Sequence, residues 1–214
     1  MSWSAAQYIK FERERTQPVR DLLARVPEIS VAQAADLGCG PGNSTEVLRS
    51  HFPEAAIIAL DSSADMLAAA RERLPEVHFE LGDIAAWRSN GAFDVILVNA
   101  VLQWLPSHET LLPNLIARLA PGGCLAVQMP DNLDEPVHRA MREVADAGPW
   151  AAKLARASTA RETRHSADWY YRVLRSCAAS IDIWRTTYYH PLTGASSITE
   201  WFKATGLRPY LDPL

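Results

Sequence analysis

A chain of 214 residues, 48% hydrophobic and 21% charged, has the balance of an ordinary globular protein and length enough for one sizeable core. Its formal net charge of −4, without any basic stripe, argues against nucleic acid as a partner. Cys39, Cys124 and Cys177 are scattered, as are the six histidines, which argues against a disulfide framework and a metal site, and no apolar run approaches the roughly 20 residues that cross a bilayer.

Met1-Ser2-Trp3-Ser4 lacks a basic stretch followed by an apolar core, so no signal peptide and a reducing cytoplasm are expected. Residues 5–25 place Tyr8, Phe11, Val19, Leu22 and Leu23 at helical spacing, with Pro18 expected to start a second helix after a break. Strand and helix then alternate. Ala34-Ala35-Asp36-Leu37 is a short apolar strand ending in a glycine-rich turn, and residues 44–51 follow as a helix capped by Asn43 or Ser44. Residues 56–60 are continuously apolar, the mark of a strand buried on both faces, and end at Asp61. A helix over 64–74 is capped by Ser62 or Ser63. Strands follow over 77–81 and 93–99, then a helix over 107–119, a turn at Pro121-Gly122-Gly123 and a strand over 124–129. This alternation predicts an α/β fold, a doubly wound parallel sheet with helices on both faces. Beyond Pro130 it breaks: residues 134–147 look helical, 151–180 are Ala-rich and locally basic, 181–190 read as a long strand and 197–205 as a short helix. One domain over 1–214 is expected, with cap helices (1–25), a core (30–130), a helical lid (131–180) and a C-terminal strand and helix (181–214).

The strongest signal is Asp36-Leu37-Gly38-Cys39-Gly40-Pro41-Gly42-Asn43, between the first strand and the helix after it. Glycines there permit positive φ and close approach of a ligand to the backbone, and a helix N-terminus suits a carboxylate. The spacing G-x-G-x-G differs from the G-x-G-x-x-G of a pyrophosphate site. Asp61 and Asp83 stand at the ends of the next two strands, where open α/β sheets bind ligands. Asp61 would accept from two ribose hydroxyls or merely cap a helix; Asp83 would face a ligand at the strand end or merely form a turn.

The glycine motif resembles the first motif of the S-adenosylmethionine-dependent methyltransferases. That resemblance implies S-adenosyl-L-methionine as cofactor, held by Asp36, Gly38, Gly40, Gly42, Asn43, Asp61, Ser62, Met66, Asp83, Ile84 and Asn99. It implies that Asp36 would serve the ammonium end, largely through water, that Asp83 would accept from the adenine amino group, and that Met66 and Ile84 would flank the adenine. More narrowly, the segments 99–108, 127–132 and 201–211, with Trp3-Ser4, Tyr8, Lys10-Phe11-Glu12, Glu14-Arg15-Thr16, Glu135-Pro136 and Gly148-Pro149-Trp150, resemble the trans-aconitate 2-methyltransferase family. This implies a Rossmann-like class I sheet and formation of a monomethyl ester on a small polycarboxylate, by a monomer or homodimer, without nucleic acid or membrane. An ionised carboxylate needs no general base. Asn99, Trp104, Arg15 and Tyr8 are the candidate catalytic residues. Tyr8, Phe11 and Arg15 share a helix face and would close over the pocket, or else form core with a solvated Arg15. Trp104 would wall the sulfonium or simply pack.

Lys153, Arg156, Arg161, Arg164, Arg172 and Arg175, against Glu162 and Asp168, would form a basic lid or a solvated face. Trp184, Thr186, Tyr188 and His190 share one strand face, with His190 expected to be buried and satisfied. Class I sheets normally carry a seventh, antiparallel strand between the fifth and sixth. No pattern for it follows residue 190, so the sheet is expected to lack it, whether by natural shortness, truncation or supply from a partner. The alternatives are a methyltransferase for another small acid or a malonyl thioester, or a cofactor-binding protein without activity.

Overall fold

The computed structural model describes residues 5–89, 91–157, 160 and 164–214. The readings made on Met1 to Ser4, Arg161 and Glu162 lie outside the described residues. The continuous apolar runs become the centre of a parallel sheet, because both faces of such strands must leave water. β1 (Gln33–Leu37), β2 (Ala56–Asp61), β3 (His78–Leu81), β4 (Phe93–Asn99) and β5 (Leu119–Gln128) pair in the order β3-β2-β1-β4-β5, with every neighbour parallel. The chain order reverses between β1 and β4, which opens a crevice at the carboxyl ends of the strands.

α1 (Ala5–Ile9) and α2 (Glu12–Leu23) precede the sheet, and α3 (Asn43–His51), α4 (Ala64–Arg73) and α5 (His108–Ile116) connect its strands. After β5 come α6 (Pro136–Ala147), α7 (Ala151–Leu154), α8 (Ala167–Leu174), α9 (Gly194–Lys203) and α10 (Arg208–Leu211). Strand alternation sorts the core into two layers. Ala34, Ile57, Val95 and Leu97 pack against Val19, Leu22 and Leu23 of α2 and Val47 and Leu48 of α3. Ala35, Leu37, Ile96 and Val98 point the other way, toward Leu111, Leu112 and Leu115 of α5 and Tyr170 of α8.

Four local expectations are corrected. The N-terminal break falls at Lys10 and Phe11, and Pro18 stands inside α2. The missing N–H removes one helix bond, while Val19, Leu22 and Leu23 on the next turn are buried and hold the helix through it. Neither Asn43 nor Ser44 caps α3: Gly42, at φ +86°, precedes it, and the Ser44 hydroxyl goes to Asp36 instead. Pro121-Gly122-Gly123 is not a turn ahead of β5 but an irregularity within it. Phe93 faces Leu119 and Val95 faces Cys124, so the surplus residues bulge from the ladder, with Gly122 at φ +82°.

The fourth correction is the largest. Residues 181–190 form no strand. They line the same cleft as β5 but pair with no strand of the sheet. A strand on the far side of that groove would need a neighbour between, and none is present among the described residues. Their shared face persists: Tyr188 and His190 stack in parallel at 6.2 Å, and Arg25 lies 4.3 Å from the Trp184 ring. His190 itself is half-buried rather than buried, stacked on Trp201 at 4.9 Å.

Leu97 is fully buried at the centre of the sheet. Leu97→Ala is expected to lower unfolding free energy by about 2–5 kcal/mol, read from urea denaturation with the slope unchanged.

Candidate active site

The crevice is built first from backbone. Gly38, Gly40 and Gly42 all adopt positive φ (81°, 55° and 86°), so the chain doubles back between β1 and α3. Gly38 and Cys39 both donate to the Leu60 carbonyl, at 2.7 and 3.0 Å. A Cβ on Gly38 would sit 2.7 Å from the Val101 side chain, whereas one on Gly40 would meet nothing within 4 Å. Gly40 therefore borders open space in the cleft. Gly42 instead lets α3 approach α4, since its Cβ would lie 3.3 Å from Ala70.

The three acids differ sharply. Asp36 is fully buried; its Oδ2 accepts from the hydroxyls of Ser44 and Thr45, both at 2.7 Å, and its Oδ1 has no partner. Burial pushes its pKa up to about 6, against the pull of those two hydroxyls. Asp61 accepts from the N–H of Gly40 and of Ser63, each at 2.8 Å, and burial raises its pKa too. Asp83 is exposed, with Oδ1 accepting from the Ala85 N–H at 2.9 Å. Ser63 caps α4 by accepting from the Met66 N–H. Cys39 is buried beside these carboxylates, and its thiol pKa is pushed far up, by burial first and by Asp36 and Asp61 next.

β4 delivers the opposite wall. Asn99 is buried with its Oδ1 unpartnered, and Ala100 turns the chain at φ +55°. Trp104 is half-buried on the single turn 102–104. Gln103, buried beside it, donates to the Ala100 carbonyl at 2.6 Å and leaves its own Oε1 unpartnered. Beneath this turn His108 is buried, with Nε2 2.9 Å from the Leu102 carbonyl and Nδ1 2.9 Å from the Tyr170 hydroxyl, which ties α8 to α5.

The N-terminal helices form the roof. The Arg15 guanidinium lies between the rings of Tyr8 and Trp201, 4.7 Å from each centroid. Its Nη2 donates to the Trp201 carbonyl at 2.6 Å, while its buried Nε has no partner. Burial lowers its pKa, opposed by the Tyr8 ring and Glu14, and the Tyr8 phenol is pushed up by burial. This roof is pinned across the cleft: Glu12 pairs with Arg73 of α4, Asn43 Nδ2 donates to Thr16 at 3.4 Å, and Lys10 pairs with Glu200 of α9 at 2.9 Å.

One cleft of about 2070 Å³ is lined by Tyr8, Arg15, Gly38, Gly40, Asn43, Asp61, Ser62, Met66, Asp83, Ile84, Asn99 and Trp104. Asp36 and Gly42 stand behind its wall. Of the basic lid residues described, only Arg164 lines the cleft; Arg172 pairs with Asp168 on α8. Sequence reasoning did not single out Ser44, Thr45, Gln103 or Trp201 for these positions. The two hydroxyls directly after the glycine turn were the available signal for the first pair; nothing local marks Trp201. The open space at Gly40 and the unpartnered oxygens of Asp36 and Asn99 fit a ligand with a charged amino-acid end, and the acids after β2 and β3 fit a nucleoside.

A parallel sheet of this order, with a glycine turn after β1 and acids ending its successive strands, defines a Rossmann-like, S-adenosylmethionine-dependent methyltransferase. A family model described as a methyltransferase domain matches residues 34–123. The trans-aconitate 2-methyltransferase of Methylobacterium nodulans is 57% identical over 99% of this chain and 82% of its own length. That of Rhizobium meliloti is 54% identical over 100% of this chain and 83% of its own. The chain belongs to this trans-aconitate 2-methyltransferase family. A chain from the Haloferax volcanii complex between a methyltransferase activator and a methyltransferase shares the fold, with 19% identity, a TM-score of 0.61, and 80% of this chain and 72% of that chain covered.

Gly38→Ala combines a strained φ with a clash on Val101. It is expected to cost about 1–3 kcal/mol in thermal unfolding, and adding Val101→Ala should recover only the clash component.

Proposed function

We propose that this chain transfers the methyl group of S-adenosylmethionine to a carboxylate of trans-aconitate, giving the monomethyl ester; its relatives are named trans-aconitate 2-methyltransferases. One observation carries the reading: Arg15, half-buried with its guanidinium held between two rings, keeps a buried, unpartnered Nε donor and lines the same cleft as the glycine turn. A cation partly withdrawn from water in that way calls for an anion, and a carboxylate meets it with charge-assisted hydrogen bonds.

When bound, the cofactor supplies an electrophilic methyl on a sulfonium. In this reading Asp61, which accepts from the backbone N–H groups of Gly40, Ser63 and Ser62, would offer its remaining lone pairs to the ribose hydroxyls. Asp83 offers its second oxygen to the adenine amino group, with Met66 and Ile84 on either side of the ring and Ser62 beside them. Gly38, Gly40 and Asn43 line the path of the amino-acid end, Gly42 sets the turn, and Asp36 balances the ammonium through water. Asn99 presents its free carbonyl oxygen near the transferring group, and Trp104 closes the wall. Tyr8, held neutral by burial, donates to the substrate carboxylate beside Arg15. An ionised carboxylate is already a nucleophile, so these residues need only aim it in line with the methyl group and exclude water. The site works on a small soluble acid; no described helix is long and apolar enough to cross a membrane. We place this activity in the cytoplasm, in a monomer or homodimer with 1–25 as cap and 131–180 as lid.

The test is methyl transfer from S-adenosylmethionine to trans-aconitate, with the ester read by mass spectrometry. Ester formation is expected, and its absence with the cofactor bound overturns the substrate. Arg15→Gln should raise the KM for trans-aconitate about 10- to 100-fold, with Arg15→Lys partly restoring it and cofactor affinity unchanged. The Asp36 pKa of about 6 adds a pH signature. Between about pH 4 and 6 the folded chain holds a proton that the unfolded chain has released, so the Asp36 contribution to stability falls as pH rises through that window. A cationic ligand needs the ionised form, so cofactor affinity measured by calorimetry should rise as pH is raised through about 6 and flatten above it. Asp36→Asn should abolish that step.

A further inference from the structure

We infer that Asp131, Arg164 and Arg185 form a second anion subsite, which holds a remote carboxylate of the substrate and so selects tricarboxylates over dicarboxylates. This rests on the reading of the chain as a polycarboxylate methyltransferase.

Three segments distant in sequence converge on one aspartate. Arg164 Nε lies 2.5 Å from Asp131 Oδ1, and Arg185 Nη2 lies 2.5 Å from Asp131 Oδ2. Arg164 comes from the loop before α8, Arg185 from the unpaired segment 181–190, and Asp131 from just beyond β5. All three line the cleft that holds the glycine turn and Arg15.

The charges do not cancel. Two guanidiniums face one carboxylate, leaving one positive charge directed at the cleft. Glu14, Asp21, Asp61, Asp83, Glu135 and Asp182 line the cleft as well; Asp182 is paired with Arg25 at 3.4 Å and Asp21 accepts from the Tyr188 hydroxyl at 2.7 Å, so the surplus is local to this cluster. Donors remain as well. Each guanidinium carries five N–H bonds in a fixed fork. Arg164 uses Nε on Asp131 and Nη1 on the His165 carbonyl at 2.6 Å; the Arg185 ion pair engages Nη2. Asp131 thus fixes the orientation of both cations without saturating either.

The position is right for a substrate arm. Gln128 pairs with Asn99, the strand end nearest the proposed methyl transfer. Asp131 is three residues further, so its Cα lies within about 11 Å of Gln128. The cluster thus follows directly from the strand end that delivers the wall opposite the glycine turn.

A purely structural role explains the cluster poorly. Asp131 and Arg164 side chains are 31% exposed and Arg185 is 71% exposed. Ion pairs that open to water add little to stability.

The test is binding, so it does not depend on turnover. Dissociation constants of trans-aconitate and of fumarate, the same unsaturated diacid without the third carboxylate arm, are measured by calorimetry with S-adenosylhomocysteine saturating. The wild-type chain should bind trans-aconitate at least about 10-fold more tightly than fumarate. Arg164→Gln and Arg185→Gln should each shrink that ratio several-fold or more. Asp131→Asn, which weakens the same ion pairs but keeps both cations, should retain the preference. An unchanged ratio in both arginine variants overturns the subsite while leaving the proposed function intact. An equal collapse in all three variants makes the cluster a brace and also overturns it. If the wild-type chain binds neither acid, the substrate reading falls and the subsite with it.

Discussion

The grip of Asp36 on Ser44 and Thr45 is the constraint on which the cofactor half of the molecule depends. It joins the end of β1 to the first turn of α3 through two 2.7 Å hydrogen bonds in a fully buried setting. With strand and helix tied at that point, the turn between them brings Gly40 to the open space of the crevice, while Gly38 and Gly42 pack against Val101 and Ala70. The same arrangement leaves one carboxylate oxygen without a partner, and burial raises the proton affinity of the group against the pull of the two hydroxyls. Structural anchor and electrostatic readiness for a cation are therefore one feature.

The roof is registered to this floor rather than laid over it. Thr16 meets Asn43 and Glu12 meets Arg73, so α2 is fixed to the helices that frame the glycine turn. Gln7 and Lys10 hold Glu200, and Arg15 holds the Trp201 carbonyl, so the same helices are fixed to α9. Movement of α9 would consequently be felt at Arg15, which sits between Tyr8 of α1 and Trp201 of α9. The Arg15 end and the glycine-turn end of the cleft share one mechanical frame.

Much of the floor was legible in the sequence, because strands buried on both faces write themselves as unbroken apolar runs; 93–99 emerges with its bounds unaltered. The glycine spacing and the acids after each strand were legible for the same local reason. What failed was non-local. Residues 181–190 have the alternation of a strand, yet a strand exists only through its neighbour's hydrogen bonds, and the sequence of the segment does not record whether that neighbour is there. Pro18 looked like a boundary because local propensity cannot weigh the buried Val19, Leu22 and Leu23 that follow. Asp131 and Arg185 are separated by more than fifty positions, and neither carries a local mark of the other.

Cys39 shows what it means to keep an alkylating reagent beside a sulfur nucleophile. Its thiol lies in the middle of the glycine turn, yet burial and the neighbouring carboxylates oppose its ionisation, and its hydrogen contacts the Gly40 carbonyl at a sulfur–oxygen distance of 3.7 Å. Thiolates, not thiols, take up methyl groups readily. The negative potential that welcomes a positively charged donor thus also protects the protein from suicide, silencing the one side chain in the turn that the donor could permanently mark.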